Sequence, residues 1–461
     1  MRYISTRGRA PALDFAGVLR AGLAEDGGLY VPEAWPEFSA AEIRSLRGLS
    51  YPELAAAVMA PFVGGAVRDL PRLTEAAYAG FAHPAVVPLV QLETRLFLLE
   101  LFHGPTLAFK DIAMQLLGRL FEELIDGQRL TIVGATSGDT GAAAIEALKG
   151  RRGITVAILH PEGRISDVQR RQMTTVTAPN VVNIAIRGSF DDCQDLVKAM
   201  FADAPFRNEQ HLAAVNSINW ARIAAQIPYY FAAALALGAP DRAVGFSVPT
   251  GNFGNVLAAW AAGRMGLPVA GLVVACNRND ILARFLAAND MSLRPVKPSL
   301  SPAMDIQVSS NFERLLFELL ERDAPGAERI MRDFRPTGRM AVPESAWRRI
   351  QAQFQGFTLD DAGTEAEIGR LFRASGYLAD PHTAIGIAGA RAARVARDLP
   401  MVAAATAHPA KFAGTVGRAT GVSPALPVAL GDLYQRKERC TVAANDLAAV
   451  EAEVRALAGR N

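Results

Sequence analysis

The chain has 461 residues, of which 50% are hydrophobic, and a formal net charge of +2 from nearly balanced acids and bases. That length and apolar content support a folded protein with sizeable cores, divided into two or three domains at roughly 150 residues each. No Lys/Arg block suited to a phosphate backbone occurs, and no apolar run approaches the ~20 residues that cross a bilayer, so the reading proceeds without nucleic-acid or membrane partners.

Residues 1–88 alternate short helical patterns, such as 51–61, with Gly/Pro-rich joints, and are expected to form an N-terminal lobe. Within it, 27–32 reads as an exposed turn leading into an extended piece. The first nine residues carry charges but no apolar signal-peptide core, which predicts a cytoplasmic protein.

An apolar run at 96–101, a turn at Gly104–Pro105 and apolar residues at Ile112, Leu116, Leu117, Leu120 and Leu124 predict strand, loop and helix in succession. The unit recurs with a strand at 130–133, a small-residue loop at 134–141 and a helix at 142–148. Buried-strand patterns follow at 154–159, 181–186, 244–248, 269–275 and 401–405. Strands alternating with helices predict an α/β fold, with two α/β lobes around mostly parallel sheets. Residues 89–240 are expected to form a first α/β region that carries the smaller lobe, and 241–461 a large α/β region. The polar, proline-containing stretch 289–376 reads as a helical insertion.

Cys193, Cys276 and Cys440 are isolated, match no metal spacing or disulfide framework, and read as small apolar residues. No HExxH, spaced Asp/His set or GxSxG elbow occurs, so no metal site is expected and hydrolase chemistry has little support. Lysine is confined to positions 110, 149, 198, 297, 411 and 437, every other basic residue being arginine. A lysine amine, unlike a guanidinium, can bond covalently to a carbonyl cofactor.

Lys110 lies in the run FHGPTLAFKD at 102–111, at the first turn of its predicted helix. The positive end of the helix dipole and its apolar neighbours Leu107, Ala108 and Phe109 disfavour a protonated amine, which makes a better nucleophile and base. The alternative is a surface lysine that precedes a helix. The loop ATSGDTG at 135–141 and the loop PTGNFGN at 249–255 each lead from a strand to a helix N-terminus, where small residues let an anion approach backbone N–H groups. Either alone also fits a simple capped turn. VNSINWAR at 215–222 sets polar residues before an apolar helix, and Arg222 suits a phosphate, a carboxylate or a surface salt bridge. ATAHPAKF at 405–412 places Thr406 at a strand's carboxyl end, where α/β sheets bind ligands, while His408 alone reads as structural.

Together with MRYISTRG at 1–8 and GLYVP at 28–32, these motifs resemble threonine synthase of the longer form with an N-terminal lobe, among the fold-type II pyridoxal-phosphate (PLP) enzymes. The resemblance implies that Lys110 holds PLP covalently and is the catalytic base. It implies that Gly251, Asn252, Phe253, Gly254 and Asn255 bind the cofactor phosphate, that Thr406 faces the pyridine nitrogen and that Asp139 lies beside the cofactor's 3′ oxygen. Thr136, Ser137 and Thr140 are implied for the substrate α-carboxylate, and Asn216, Ser217 and Arg222, assisted by Lys411, for the substrate's own phosphate. The implied reaction is that of a carbon–oxygen lyase acting on phosphate: O-phospho-L-homoserine and water give L-threonine and phosphate, in a monomer or homodimer. Two other readings use the same residues: a PLP-dependent dehydratase or phospholyase that releases an oxo-acid, and a non-catalytic relative that binds a phosphorylated metabolite.

Overall fold

The computed structural model describes residues 1–125, 127–395 and 398–458. Its strands in chain order are β1 (Tyr3–Ser5), β2 (Tyr30–Pro32), β3 (Leu89–Glu93), β4 (Leu96–Glu100), β5 (Leu130–Ala135), β6 (Ile154–Pro161), β7 (Val181–Ile186) and β8 (Leu212–Ala213). There follow β9 (Val244–Pro249), β10 (Val269–Cys276), β11 (Met291–Ser292), β12 (Arg339–Met340), β13 (Phe354–Thr358), β14 (Met401–Ala405) and β15 (Thr441–Ala443). Two sheets dominate: a 6-stranded sheet ordered β13-β10-β9-β14-β4-β3 and a 5-stranded sheet ordered β15-β7-β6-β5-β8.

Only the edge pair β3–β4 is antiparallel in these two sheets. The rest pair in parallel, and β6, β9 and β14 are buried along their whole length, as strands covered by helices on both faces must be. The alternating pattern therefore gives the expected α/β architecture. Because β14 runs parallel to both β4 and β9, with Ala403 paired to Leu98 and to Ser247, all three strands release their following loops at one edge. The loops after β5 and β6 leave their own sheet in the same way. Parallel sheets bind ligands at that carboxyl edge, and it is where the lysine loop, the Gly/Asn loop and Thr406 meet.

Sequence position and sheet membership diverge. β3 and β4, which precede the small sheet in the chain, belong to the large one, and β15 returns from the far end of the chain to edge the small one against β7. Neither sheet divides the chain at residue 240. Hydrophobic periodicity reports that a strand exists but not its partner, and three-residue β15 has no apolar run to report at all. The 289–376 stretch is helical in large part, yet it also supplies β13, which extends the large sheet by pairing with β10 from Leu272–Phe354 to Cys276–Thr358.

The N-terminal lobe shares its core with the rest. Tyr3 and Phe62 pack their rings against fully buried Trp220, at centroid distances of 6.1 and 5.8 Å, and Trp35 meets Trp260 edge-on at 5.4 Å. Its helices are locally well specified: Asp14 accepts from Gly17 N at 2.7 Å, and Ser50 with Glu53 forms a capping box. The 27–32 segment forms its expected extended piece as β2, covered by the helix Phe312–Leu319 and by β1, but the turn before it is not exposed: Gly27 is half-buried and Gly28 buried. Among the described residues no helix is long and apolar enough to cross a membrane, and no group of three His, Cys, Asp or Glu side chains is arranged to hold a metal.

A shared core implies joint unfolding. Phe62→Ala, which leaves a cavity against Trp220, is expected to destabilise the whole protein by about 3–5 kcal/mol in urea titrations. Separate melting of residues 1–88, with the remainder unaffected, would contradict the shared core.

Candidate active site

The lysine loop is held by its own neighbours before any ligand arrives. Asp111 turns back on the loop and accepts from Thr106 N at 2.8 Å and from Thr106 Oγ1 at 2.6 Å, while a side chain at Gly104 would collide with it. Burial pushes the Asp111 carboxyl up to about 6, against the pull of the Thr106 hydrogen bonds. The loop is stitched to the end of β14: Phe109 N donates to Thr406 O at 2.9 Å, and His408 N donates to Leu107 O at 3.0 Å. Lys110, first residue of the helix Lys110–Leu124, is thereby fixed beside Thr406.

Its amine points at Asp139. Lys110 Nζ donates to Asp139 Oδ2 at 3.2 Å, Lys411 Nζ pairs with Asp139 Oδ1 at 2.6 Å, and Gln169 Nε2 donates to the same Oδ1 at 2.8 Å. Lys411, wholly buried, also donates to Thr106 O at 2.8 Å, so it ties the carboxylate to the lysine loop. Burial alone would push the Asp139 carboxyl up; the ammonium groups of Lys411 and Lys110 and the hydrogen bonds from Lys411 and Gln169 overcome it and hold the group well below the usual carboxylate range. Burial is also the largest influence on Lys110, lowering its pKa; Asp139 opposes it, and the positive charges of Lys411 and Arg222 reinforce it. The net effect is an amine that loses its proton more readily than a free lysine.

In the 135–141 loop, Thr136 is buried and its Oγ1 accepts from Gly138 N at 3.0 Å and Gly141 N at 2.8 Å, leaving the hydroxyl proton free to donate. Gly138 has φ 140° and sits against Gln169, a conformation that favours glycine. Ser137 is exposed and Thr140 half-buried. The 249–255 loop ends in Phe253 with φ 65°, immediately before the helix Gly254–Arg264. Among the described residues, the N–H groups of Gly251, Asn252 and Phe253 find no acceptor. Asn255 Oδ1 accepts from the hydroxyls of Tyr229 and Tyr230, while its buried Nδ2 has no partner.

In the 215–222 turn, Asn219 points inward to Leu19 O at 2.9 Å, Asn216 is exposed, and Ser217 is half-buried. Arg222 is buried, donates through Nη1 to Val215 O at 3.0 Å, and leaves Nε without a partner. Burial alone lowers its pKa, to about 10. The surface-salt-bridge alternative is therefore not what forms, because the group is enclosed and no carboxylate pairs with it among the described residues. Thr406 N donates to Thr383 Oγ1 at 3.2 Å, and Thr383 in turn donates to buried Asp380.

The structure thus gathers Lys110, Asp139 and Lys411 into one hydrogen-bonded cluster, with Thr406 fixed beside Lys110 by the backbone and Arg222 near enough to act on its charge. Lys411 bonds to Asp139 and Thr106, and among the described residues no hydrogen bond or ion pair joins it to the 215–222 turn. Sequence reasoning missed Asp111, Gln169 and Thr383. Asp111 adjoins Lys110 and was in view, whereas nothing in the sequence marks Gln169 or Thr383, whose partners lie 30 and 23 residues away.

The family model described as Threonine synthase N terminus matches residues 2–78, that described as Pyridoxal-phosphate dependent enzyme matches 83–335, and that described as Threonine synthase, C-terminal, matches 383–454. The chain is similar to threonine synthase from Pseudomonas aeruginosa, with 54% identity over 459 residues covering 98% of each chain. The solved structure of PLP-bound threonine synthase from Brucella melitensis superposes with a TM-score of 0.97 at 52% identity, covering 99% of each chain. That of threonine synthase from yeast superposes with a TM-score of 0.93 at 38% identity, covering 100% of this chain and 99% of the other.

The charge cluster makes a directional prediction about Lys110. Trapping of its amine by pyridoxal phosphate and borohydride requires the unprotonated form, so the pH of half-maximal trapping reports its pKa. Removing a neighbouring positive charge in Lys411→Met is expected to move that pH up, and removing the opposing negative charge in Asp139→Asn to move it down. Identical profiles in both variants would show that the cluster does not control the amine.

Proposed function

The chain belongs to the threonine synthase family of PLP enzymes, and from that premise we propose which of its side chains carry the conversion of O-phospho-L-homoserine and water into L-threonine and phosphate. The observation that carries the assignment is the largely enclosed Lys110 amine, set against Asp139 at the edge where the carboxyl ends of the strands converge.

The residues fit the cofactor. The unpartnered N–H groups of 251–253 and the helix N-terminus behind them suit its phosphate, as does the buried, unpartnered Nδ2 of Asn255. Thr406 would offer its hydroxyl to the pyridine nitrogen, and the ionised Asp139 would stand beside the 3′ oxygen. When bound, PLP supplies an electron sink for negative charge developing on the amino acid's carbons.

The substrate's α-carboxylate is received by Thr136, Ser137 and Thr140 at the N-terminus of the helix Asp139–Leu148. Arg222 faces the substrate's phosphate with its unpartnered Nε, and Asn216 and Ser217 stand on the same turn. Lys110, released once the substrate amine takes its place, removes the Cα proton and then one from Cβ, and phosphate departs from Cγ. A proton returns to Cγ, water adds at Cβ and gives up one proton, and a proton returns to Cα, which completes L-threonine. The lowered proton affinity of Lys110 suits this repeated exchange, because a general base works best with a pKa near the working pH. Lys411 does its part through Asp139: it keeps that carboxylate ionised and adds positive charge beside Lys110.

Lys110→Ala is expected to lower turnover by about 10²–10⁴-fold or more, with phosphate and threonine falling together, and to abolish the borohydride-sensitive near-visible band of the holoenzyme. Retained turnover would refute Lys110 as the base. Arg222→Gln is expected to raise KM for O-phospho-L-homoserine by about tenfold or more. Accumulation of 2-oxobutyrate without threonine in the unmodified enzyme would overturn the reaction assigned.

A further inference from the structure

The most deeply enclosed arginine among the described residues is Arg314, 1% exposed, in the helix Phe312–Leu319 of the 289–376 stretch. It forms no ion pair among the described residues. Its neighbour Glu313 is engaged by Arg7 at 3.1 Å and by Thr6 Oγ1 at 2.7 Å. The Arg314 guanidinium is instead satisfied by oxygens from separate segments: Nε donates to Tyr30 O at 2.9 Å, Nη2 donates to Ile218 O at 2.6 Å, and Nη1 donates to Asn311 Oδ1. It also lies over the Trp220 ring, 5.7 Å from the centroid.

Asn311, wholly buried, continues the linkage. Its Nδ2 donates to Ser217 O at 3.0 Å and to Asn252 O at 3.1 Å, and its backbone N donates to Asn252 O at 3.2 Å. One amide nitrogen therefore holds a carbonyl from the 215–222 turn beside a carbonyl from the 249–255 loop. Ser309 Oγ takes the preceding carbonyl, Gly251 O, at 2.6 Å.

The direction of these bonds matters. In a trans peptide the N–H points opposite to the C=O of the same unit. Drawing the carbonyls of Gly251 and Asn252 toward 309–311 turns the N–H groups of Asn252 and Phe253 to the other side, and neither meets an acceptor among the described residues. Successive N–H groups presented in this way form an anion-binding nest. On the other loop, Ile218 O and Val215 O are gripped by Arg314 and Arg222 respectively, which fixes the turn that carries Arg222.

We propose that Asn311 and Arg314 are positioning residues that lock the 215–222 turn and the 249–255 loop together, so that the substrate-phosphate and cofactor-phosphate sites form one mechanical unit. The inference rests on the reading of Arg222 and its turn as the substrate-phosphate site. It gives the 289–376 stretch a role, that of a splint reaching from β2 to both phosphate loops.

The test uses the full-length enzyme and two probes: PLP titrated into the apoenzyme, and inorganic phosphate as an inhibitor of the holoenzyme. Asn311→Asp keeps the side-chain shape and the acceptor for Arg314 but removes the donor, and Asn311→Leu removes the donor without adding charge. Both are expected to weaken PLP and phosphate binding together, each by about tenfold, with kcat at saturating cofactor and substrate changing less. Asn289→Asp is the control, since its amide bridges Val342 O at 2.8 Å in the same stretch but touches neither loop. Loss of affinity for one anion only, for neither, or equally in Asn289→Asp would overturn the proposal. Arg222→Gln separates the two ideas: if it weakens phosphate binding while the Asn311 variants do not, the locking fails and the phosphate site stands, and if it leaves phosphate binding unchanged, the phosphate site itself is wrong.

Discussion

A buried carboxylate shared between two lysines organises this protein. Asp139 takes Lys411 at 2.6 Å and Lys110 at 3.2 Å, and with its third partner, Gln169, it is held ionised in a place where burial alone would protonate it. Removing one partner from a buried ionic group is strongly destabilising, typically by about 3–5 kcal/mol. The cluster therefore constrains everything that supplies it: the lysine loop, the 135–141 loop, the helix Asp167–Thr174 that brings Gln169, and the 405–412 segment that brings Lys411. Those four pieces come from both sheets, so the electrostatics of one carboxylate fix how the two sheets face each other.

The same cluster leaves positive charge in excess. Two lysines face one carboxylate, and Arg222 is enclosed nearby with no carboxylate paired to it among the described residues. Fixed positive charge in a low-dielectric pocket attracts anions strongly, and each ligand of this family's reaction is an anion: the cofactor phosphate, the substrate phosphate and the substrate carboxylate. Part of the same excess acts on Lys110, where Lys411 and Arg222 both favour the neutral amine. Binding and base strength thus come from one charge arrangement. A change at Lys411 or Arg222 cannot alter one without touching the other.

Much of this was readable in the sequence, and the division between read and unread follows chain separation. The Lys110 window, the two small-residue loops and the 405–412 motif are contiguous runs in which the chemistry and its local geometry sit within ten residues of each other, so turn residues and apolar runs were enough to place them at strand ends. The resemblance to a known family then gave each a role. The pairing of Asp139 with Lys411 was not readable, because a loop and a motif far apart in the chain meet only through the topology of two sheets, and Lys411 was assigned to the substrate's phosphate instead. β15 and β13 escaped notice or were read as insertion, since an edge strand of three to five residues needs a neighbour's backbone more than it needs an apolar pattern. Arg314 was invisible for the opposite reason: arginine is the commonest basic residue in this chain and is ordinarily exposed, so nothing local distinguishes a wholly buried one.

The groups left unsatisfied in the fold are themselves informative. A buried donor without a partner costs about 1–3 kcal/mol, and native structures keep few of them. Among the described residues Arg222 Nε and Asn255 Nδ2 are both in that state, each in the first turn of a helix, Trp220–Ala224 and Gly254–Arg264 respectively, and the N–H groups of 251–253 lack acceptors beside them. Nearby carbonyls do not relax to meet them, because Arg314, Asn311 and Ser309 already hold Ile218 O, Asn252 O and Gly251 O in the opposite direction. The fold is thus kept from satisfying its own donors, and the free energy withheld there becomes available to an incoming anion. On the proposed assignment, the phosphate sites are pre-organised through three carbonyl oxygens that side chains of the 289–376 stretch hold.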